Sequence, residues 1–185
     1  GETYRTYAKL WEAQKPLLVE RFWQDILAER IVPAREQLEQ QLSAYRLPLD
    51  PDTDILPVLL SVEHWHKEFS LRDEEMMEYA LRNAAAEIFL KDVPGHVIRD
   101  RGGITFVLMY LQGRRIPEEG EMLAVCREYI DACSRFFYCS LSCYVGDPVP
   151  IARIAETYHA LIEMEHNNVT AMKTVLFQRS HRGVP

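Results

Sequence analysis

His96-Val97-Ile98-Arg99-Asp100, then Arg101-Gly102-Gly103, then Ile104-Thr105-Phe106-Val107-Leu108-Met109-Tyr110-Leu111 run consecutively, and this stretch decides the fold. Two runs rich in β-branched and apolar residues flank a short segment with two glycines. Glycine enters positive φ without steric penalty, so Gly102 and Gly103 suit a tight turn and the stretch is predicted to be a β-hairpin. Upstream, residues 55–62 (ILPVLLSV) are short and nearly all apolar, as in a central strand covered on both faces, with Pro57 tolerated near its start. Between the two, Ser70 and Asp73 open a capping-box-like start, and Met77, Leu81, Ala84 and Ile88 form a helical stripe to about residue 91.

Downstream of the hairpin, Pro117, Glu118, Glu119 and Glu121 open another helix. It carries Leu123, Cys126, Ile130, Cys133 and Phe137 on one side, with the acids at the positive end of the helix dipole. Cys139, Leu141, Cys143 and Val145 alternate with Ser140, Ser142 and Tyr144, which predicts a strand with one core face. Pro148 and Pro150 precede a last helix with Ile151, Ile154, Tyr158 and Ile162, and the tail from Asn167 is mostly polar. The order from residue 55 is β-α-β-β-α-β-α, an α+β plan of split-βαβ, ferredoxin-like type with two helices on one face of the sheet. Many unrelated functions use it.

The N-terminal part differs. Tyr4, Tyr7, Trp11, Leu18, Phe22 and Ile26 follow helical spacing to about Arg30, interrupted at Pro16, and Leu38, Leu42 and Tyr45 mark a second helix over residues 33–45. Residues 47–54 (LPLDPDTD) read as a boundary. The expected organisation is a helical connector at 1–48, a compact domain at 54–167 and a linker at 168–185.

Of 185 residues, 48% are hydrophobic, which excludes a disordered or fibrous chain. With 21 Lys+Arg against 28 Asp+Glu, the net charge of −7 argues against direct nucleic-acid or anionic-membrane binding, which needs a concentrated basic face. No run approaches the roughly 20 apolar residues of a bilayer span, and no signal peptide is legible, so the expectation is a cytoplasmic protein. Cys126, Cys133, Cys139 and Cys143 lack CxxC spacing and are expected to be buried thiols. His64 and His66 share a face of an extended segment but have no third ligand nearby in sequence, so no metal is expected. No Ser/His/Asp, Cys/His or phosphate-cradling glycine motif is present, and no cofactor is implied. The stripe Tyr7, Trp11, Leu18 and Phe22, with Tyr4 and Trp23, is too apolar to stay wet. Pairing in a homodimer is preferred; the alternative is that the helix folds back on its own domain.

The hairpin Arg101-Gly102-Gly103-Ile104-Thr105-Phe106 resembles the R-x-G-G-D-E-F turn of the GGDEF family of nucleotide-cyclase-like domains. Ser61-Val62-Glu63-His64-Trp65-His66-Lys67 stands where that family has D-x-D-x-F-K, and Ser142-Cys143-Tyr144-Val145-Gly146 loosely matches its T-x-S-x-G strand. The resemblance covers about residues 55–165. It implies two divalent ions held by carboxylates in the active members, at positions that correspond here to Ser61, Ile104 and Thr105. None of these supplies a charged oxygen, and Glu63 is the one acid left, so the resemblance is to a degenerate, non-catalytic member. In that family nucleotide lies at the strand ends, where Glu63, His66 and Arg101 could line a small-ligand cleft; a solvated rim is the preferred alternative. An active cyclase is the enzymatic rival, and a ligand-binding sensor without turnover is the other.

The segments YRTYAKLWEAQKPLLVERFWQDILAERI, WHKEFSLRDEEMMEYALRNAAAEIF and CREYIDACSRFFYCSLSCYVGDP also resemble the middle region of AraC-type response regulators. That resemblance implies a receiver domain before these residues, a helix-turn-helix domain after them, and a dimeric relay between the two.

Overall fold

The apolar run that follows the aspartates becomes the middle of a sheet. The computed structural model describes residues 1–29 and 33–181. Its helices are α1 (Glu2–Leu27), α2 (Arg35–Ala44), α3 (Leu71–Phe89), α4 (Glu119–Phe136) and α5 (Ile154–Asn167). Its strands are β1 (Ile55–Trp65), β2 (Gly95–Arg99), β3 (Thr105–Tyr110), β4 (Cys139–Val145) and β5 (Val175–Phe177), in the sheet order β2-β3-β1-β4-β5. β1 runs antiparallel to both β3 and β4, β2 is antiparallel to β3, and β5 is parallel to β4. The chain is therefore a mixed α/β protein with an open five-stranded sheet.

Alternation along β1 explains why both faces are covered. Leu56, Val58 and Leu60 point to one side with Val107, Met109, Cys139, Leu141 and Cys143, where Leu81, Ala85 and Phe89 of α3 and Met122, Cys126, Tyr129 and Cys133 of α4 pack. Ile55 and Leu59 point to the other side with Phe106, Leu108, Tyr110 and Tyr144, beneath residues of α1, α2 and α5. All four cysteines are free and buried, as their spacing predicts. The caps also follow the sequence: Ser70 accepts the Asp73 amide at the start of α3, and Glu118 and Glu121 form a capping box on α4.

Several boundaries are corrected. The compact unit does not begin at residue 54, because Val19, Phe22, Trp23, Ile26 and Leu27 of α1, Leu38 and Leu42 of α2, and Leu47 and Leu49 share one core with Ile55 and Leu59. α1 is continuous through Pro16; Arg30, the expected end of that helix, lies outside the described residues. The expected dimer stripe splits: Tyr4 and Tyr7 are exposed, Trp11 and Leu18 are half-buried, and Phe22 is buried within its own chain against the rings of Trp23 and Tyr45 at 5.2 and 5.7 Å. The helix folds back from Val19 onward because residues 19, 22, 23, 26 and 27 make a wider apolar face than the stripe read from sequence.

The tail is not simply a linker, since β5 lies within 168–185. Its polar neighbours find polar partners on the sheet: the Thr174 amide donates to Ser142 Oγ at 3.0 Å, the Asn168 amide nitrogen to the Tyr144 hydroxyl at 2.8 Å, and the Lys173 amide to Glu63 Oε1 at 3.0 Å. Ser140, Ser142 and Tyr144 are accordingly buried, so β4 has two covered faces rather than one.

The hairpin forms as predicted, with a three-residue loop. The Gly103 amide donates to the Asp100 carbonyl, the Asp100 amide to the Ile104 carbonyl, and Gly103 sits at φ 88°, the left-handed position such loops require. Gly102 does not adopt positive φ. Asp100 is the tie: one carboxylate oxygen accepts the Ile104 amide at 2.8 Å and the other accepts the Tyr158 hydroxyl of α5 at 2.7 Å, with the side chain buried. Asp100→Ala is expected to lose about 1–3 kcal/mol for each half-buried donor left without its acceptor, with Asp100→Asn intermediate, measured by urea denaturation. Gly95 is needed for space, because a Cβ there would stand 2.1 Å from the Leu108 carbonyl oxygen. Gly95→Ala is expected to cost about 1–3 kcal/mol in the same measurement.

Candidate functional site

The site candidate arises from a mismatch in strand length. Pairing of β1 with β3 stops at Leu60↔Thr105, whereas β1 stays paired with β4 as far as Trp65↔Cys139. The β1 edge from Ser61 onward is thus left without a strand on the β3 side, where the hairpin turns away into β2. A notch of about 250 Å³ occupies the gap, lined by Ser61, Gly103, Ile104, Thr105 and, from the helices, Glu78, Tyr129 and Glu165. Its floor is apolar, made by Leu60, Leu81 and Leu141.

Four of the motif positions named from sequence, Ser61, Gly103, Ile104 and Thr105, therefore converge. Ser61 Oγ donates to Glu165 Oε1 of α5 at 3.1 Å. Tyr129 donates its hydroxyl to the Leu81 carbonyl at 2.8 Å, and burial pushes that phenol well above its ordinary value, so it serves as a fixed neutral wall. Glu78 and Glu165 were not found from sequence. Each sits on a helix separated from β1 in the chain, and no local spacing links them to Ser61. The cavity is smaller than the roughly 300–1,000 Å³ that encloses a drug-sized ligand. Among the described residues no group of three or more His, Cys, Asp or Glu is arranged to hold a metal ion.

The remaining candidates lie elsewhere. Glu63 is turned toward the Lys173 amide beside β5. His66 is bonded through Nε2 to Ser140 Oγ at 2.9 Å, and its ring lies 5.9 Å from that of His64. His64 and Trp65 belong to β1 itself, past a register shift between Val62 and His64, rather than to a loop after it. Arg101 is ion-paired to Asp25 of α1. Glu63, His66 and Arg101, which could have lined a small-ligand cleft, are not brought together: each of the three is engaged with a different element, and none lines the notch. Gly102 supports the turn only. Phe106 is in the core on the α5 side, its ring 5.1 Å from that of Tyr158.

A second polar assembly, also unseen from sequence, fastens α1 to the sheet. Trp23 Nε1 donates to the Tyr110 hydroxyl at 3.0 Å, and that oxygen lies 2.8 Å from His96 Nδ1. At the turn end of β2, Glu20 accepts the Arg99 amide at 3.1 Å and Gln24 donates to the Arg99 carbonyl at 2.9 Å. The hairpin thus touches the notch through Gly103, Ile104 and Thr105 and touches α1 through Arg99 and Arg101. No helix of the described residues is long and apolar enough to cross a membrane. Comparisons with family models, with curated proteins and with solved structures each find no match to this chain.

Proposed function

We propose that this chain is a non-catalytic signalling domain of GGDEF type, acting as a dimeric relay within a cytoplasmic transcriptional regulator of AraC-type response-regulator organisation. The observation that carries the reading is the composition of the notch. Ser61, Ile104 and Thr105 line it at the places where the resemblance calls for metal-binding acids, while Glu63 faces away. A two-metal phosphoryl-transfer site needs several carboxylates converging on the ions. A hydroxyl, an alkyl group and a second hydroxyl do not provide it, and the two acids that do line the notch, Glu78 and Glu165, stand on separate helices and belong to no cluster of three metal-ligating side chains among the described residues. The antiparallel order β2-β3-β1-β4, with α3 and α4 on one face, supports the ferredoxin-like assignment.

The relay part rests on α1. From Val19 onward it is docked on the domain and tied to the hairpin, whereas Tyr4, Tyr7, Leu10 and Leu17, which precede that part, are exposed. A helical arm of that length is marginal alone in water, and pairing with the same arm of a second copy would cover those side chains. The interface assigned here is Tyr4, Tyr7, Leu10, Trp11 and Leu17; Phe22 drops out because its own chain already buries it. A change in arm geometry would pass to the hairpin through Asp25 and Arg101.

Two measurements on the purified chain test the two halves of the reading. Incubation with GTP and Mg²⁺ or Mn²⁺ is expected to yield no cyclic di-GMP, and product formation proportional to protein would overturn catalytic silence. Sedimentation equilibrium is expected to show a dimer that Tyr7→Ala with Leu10→Ala converts to monomer without altering the melting of the domain. A monomeric parent chain at high micromolar concentration would remove the relay by dimerisation.

A further inference from the structure

We propose that His96 makes the docking of α1 acid-sensitive: protonation of its Nδ1 turns an acceptor into a donor, deprives the buried Tyr110 hydroxyl hydrogen of its partner, and loosens α1 at Trp23. The inference concerns how α1 is held and does not depend on the relay reading.

The direction of each bond in the Trp23-Tyr110-His96 chain follows from donor and acceptor inventory. An indole nitrogen can only donate, so the Tyr110 oxygen accepts from Trp23 Nε1 at 3.0 Å. Among the described residues His96 Nδ1, at 2.8 Å, is the acceptor available to the Tyr110 hydroxyl hydrogen. The imidazole is therefore neutral, with its proton on Nε2. Tyr110 and Trp23 are both fully buried, so water does not offer a substitute acceptor. If His96 gains a proton at Nδ1, the Tyr110 oxygen faces two donors and its own hydrogen faces none.

Among the described residues no carboxylate acts on His96 to compensate the imidazolium. The charged group acting on His96 from α1 is Lys15, a cation, and β3 presents the neutral Tyr110 phenol. Burial first, and Lys15 second, hold the His96 pKa below its ordinary value. The sign follows: the undocked state binds the proton more tightly than the docked one. Docking is therefore at full strength above the ordinary histidine value of about 6.5 and weakens as pH falls below it. The loosening begins on the face of the sheet opposite α3 and α4, where Val19, Trp23 and Ile26 pack.

The test uses the full chain with Trp11→Phe and Trp65→Phe, leaving Trp23 as the single indole. Its emission is expected to shift to longer wavelength on going from about pH 7.5 to about pH 5, with a midpoint below the ordinary histidine value. His96→Asn in that background places an untitratable Oδ1 where Nδ1 stood and keeps every other histidine, and its emission is expected to stay constant over the same range. An unshifted parent, or an Asn variant that shifts like the parent, overturns the proposal. Nitrogen-15 NMR of the parent chain's histidines gives a reading that needs no variant. His96 is expected to carry its proton on Nε2 at neutral pH and to titrate below about 6.5; a proton on Nδ1, or an unlowered titration, would contradict it.

Discussion

Everything in this molecule is arranged around the burial of β1 on both faces. A strand with Leu56, Val58 and Leu60 on one side and Ile55 and Leu59 on the other demands apolar cover above and below. Two helices, α3 and α4, suffice for the first face. The second face needs α5, α2 and the docked half of α1, and this is why the N-terminal helices are part of the core rather than a separate connector. Fully burying a large apolar side chain stabilises by about 1.5–3 kcal/mol, and five such residues of α1 are committed there. Removing that half of the helix would leave the sheet half-clothed.

The hairpin is the element through which that arrangement reaches the notch. Asp100 fixes its turn to α5, Arg101 and Arg99 fix it to α1, and Gly103 to Thr105 form one wall of the cavity. Its position is thus set jointly by two helices, α1 and α5, that come from opposite ends of the chain. The ion pairs are partly exposed and individually weak. The Asp100 bonds are stronger, because one carboxylate, itself buried, accepts from two donors at once.

The parts of the fold written in local periodicity were legible in the sequence. The hairpin, the apolar β1, the capped starts of α3 and α4 and the alternation of β4 each depend on residues a few places apart. What was not legible depends on partners brought together by folding. Three residues, Val175 to Phe177, carry no strand signal until the parallel edge of β4 is present. Around residues 17–27 apolar side chains occupy so much of α1 that periodicity alone could place the seam at Tyr7 and Phe22 or at Val19 and Trp23. Burial selects the latter pair. In the site, Ser61, Gly103, Ile104 and Thr105 were found through a resemblance to a motif, whereas Glu78 and Glu165 enter from helices whose placement no spacing encodes. Glu63, His66 and Arg101 looked available because their partners, Lys173, Ser140 and Asp25, lie far along the chain.

The hydrogen bonds between the side chains of Glu20 and Gln24 and the backbone of Arg99 also bear on solubility. β2 is the outer strand on one side of the sheet, and an outer strand offers unpaired amides and carbonyls to any other chain that can align with it. Here the Arg99 amide and carbonyl are already taken by side chains of a helix. On the opposite border β5 is only three residues long, too short to template a new strand of useful length. The docked half of α1 therefore serves as a guard rail against fibrillar stacking as well as a cover for the core, and sequence changes that weaken its seat would favour aggregation before they abolish the fold.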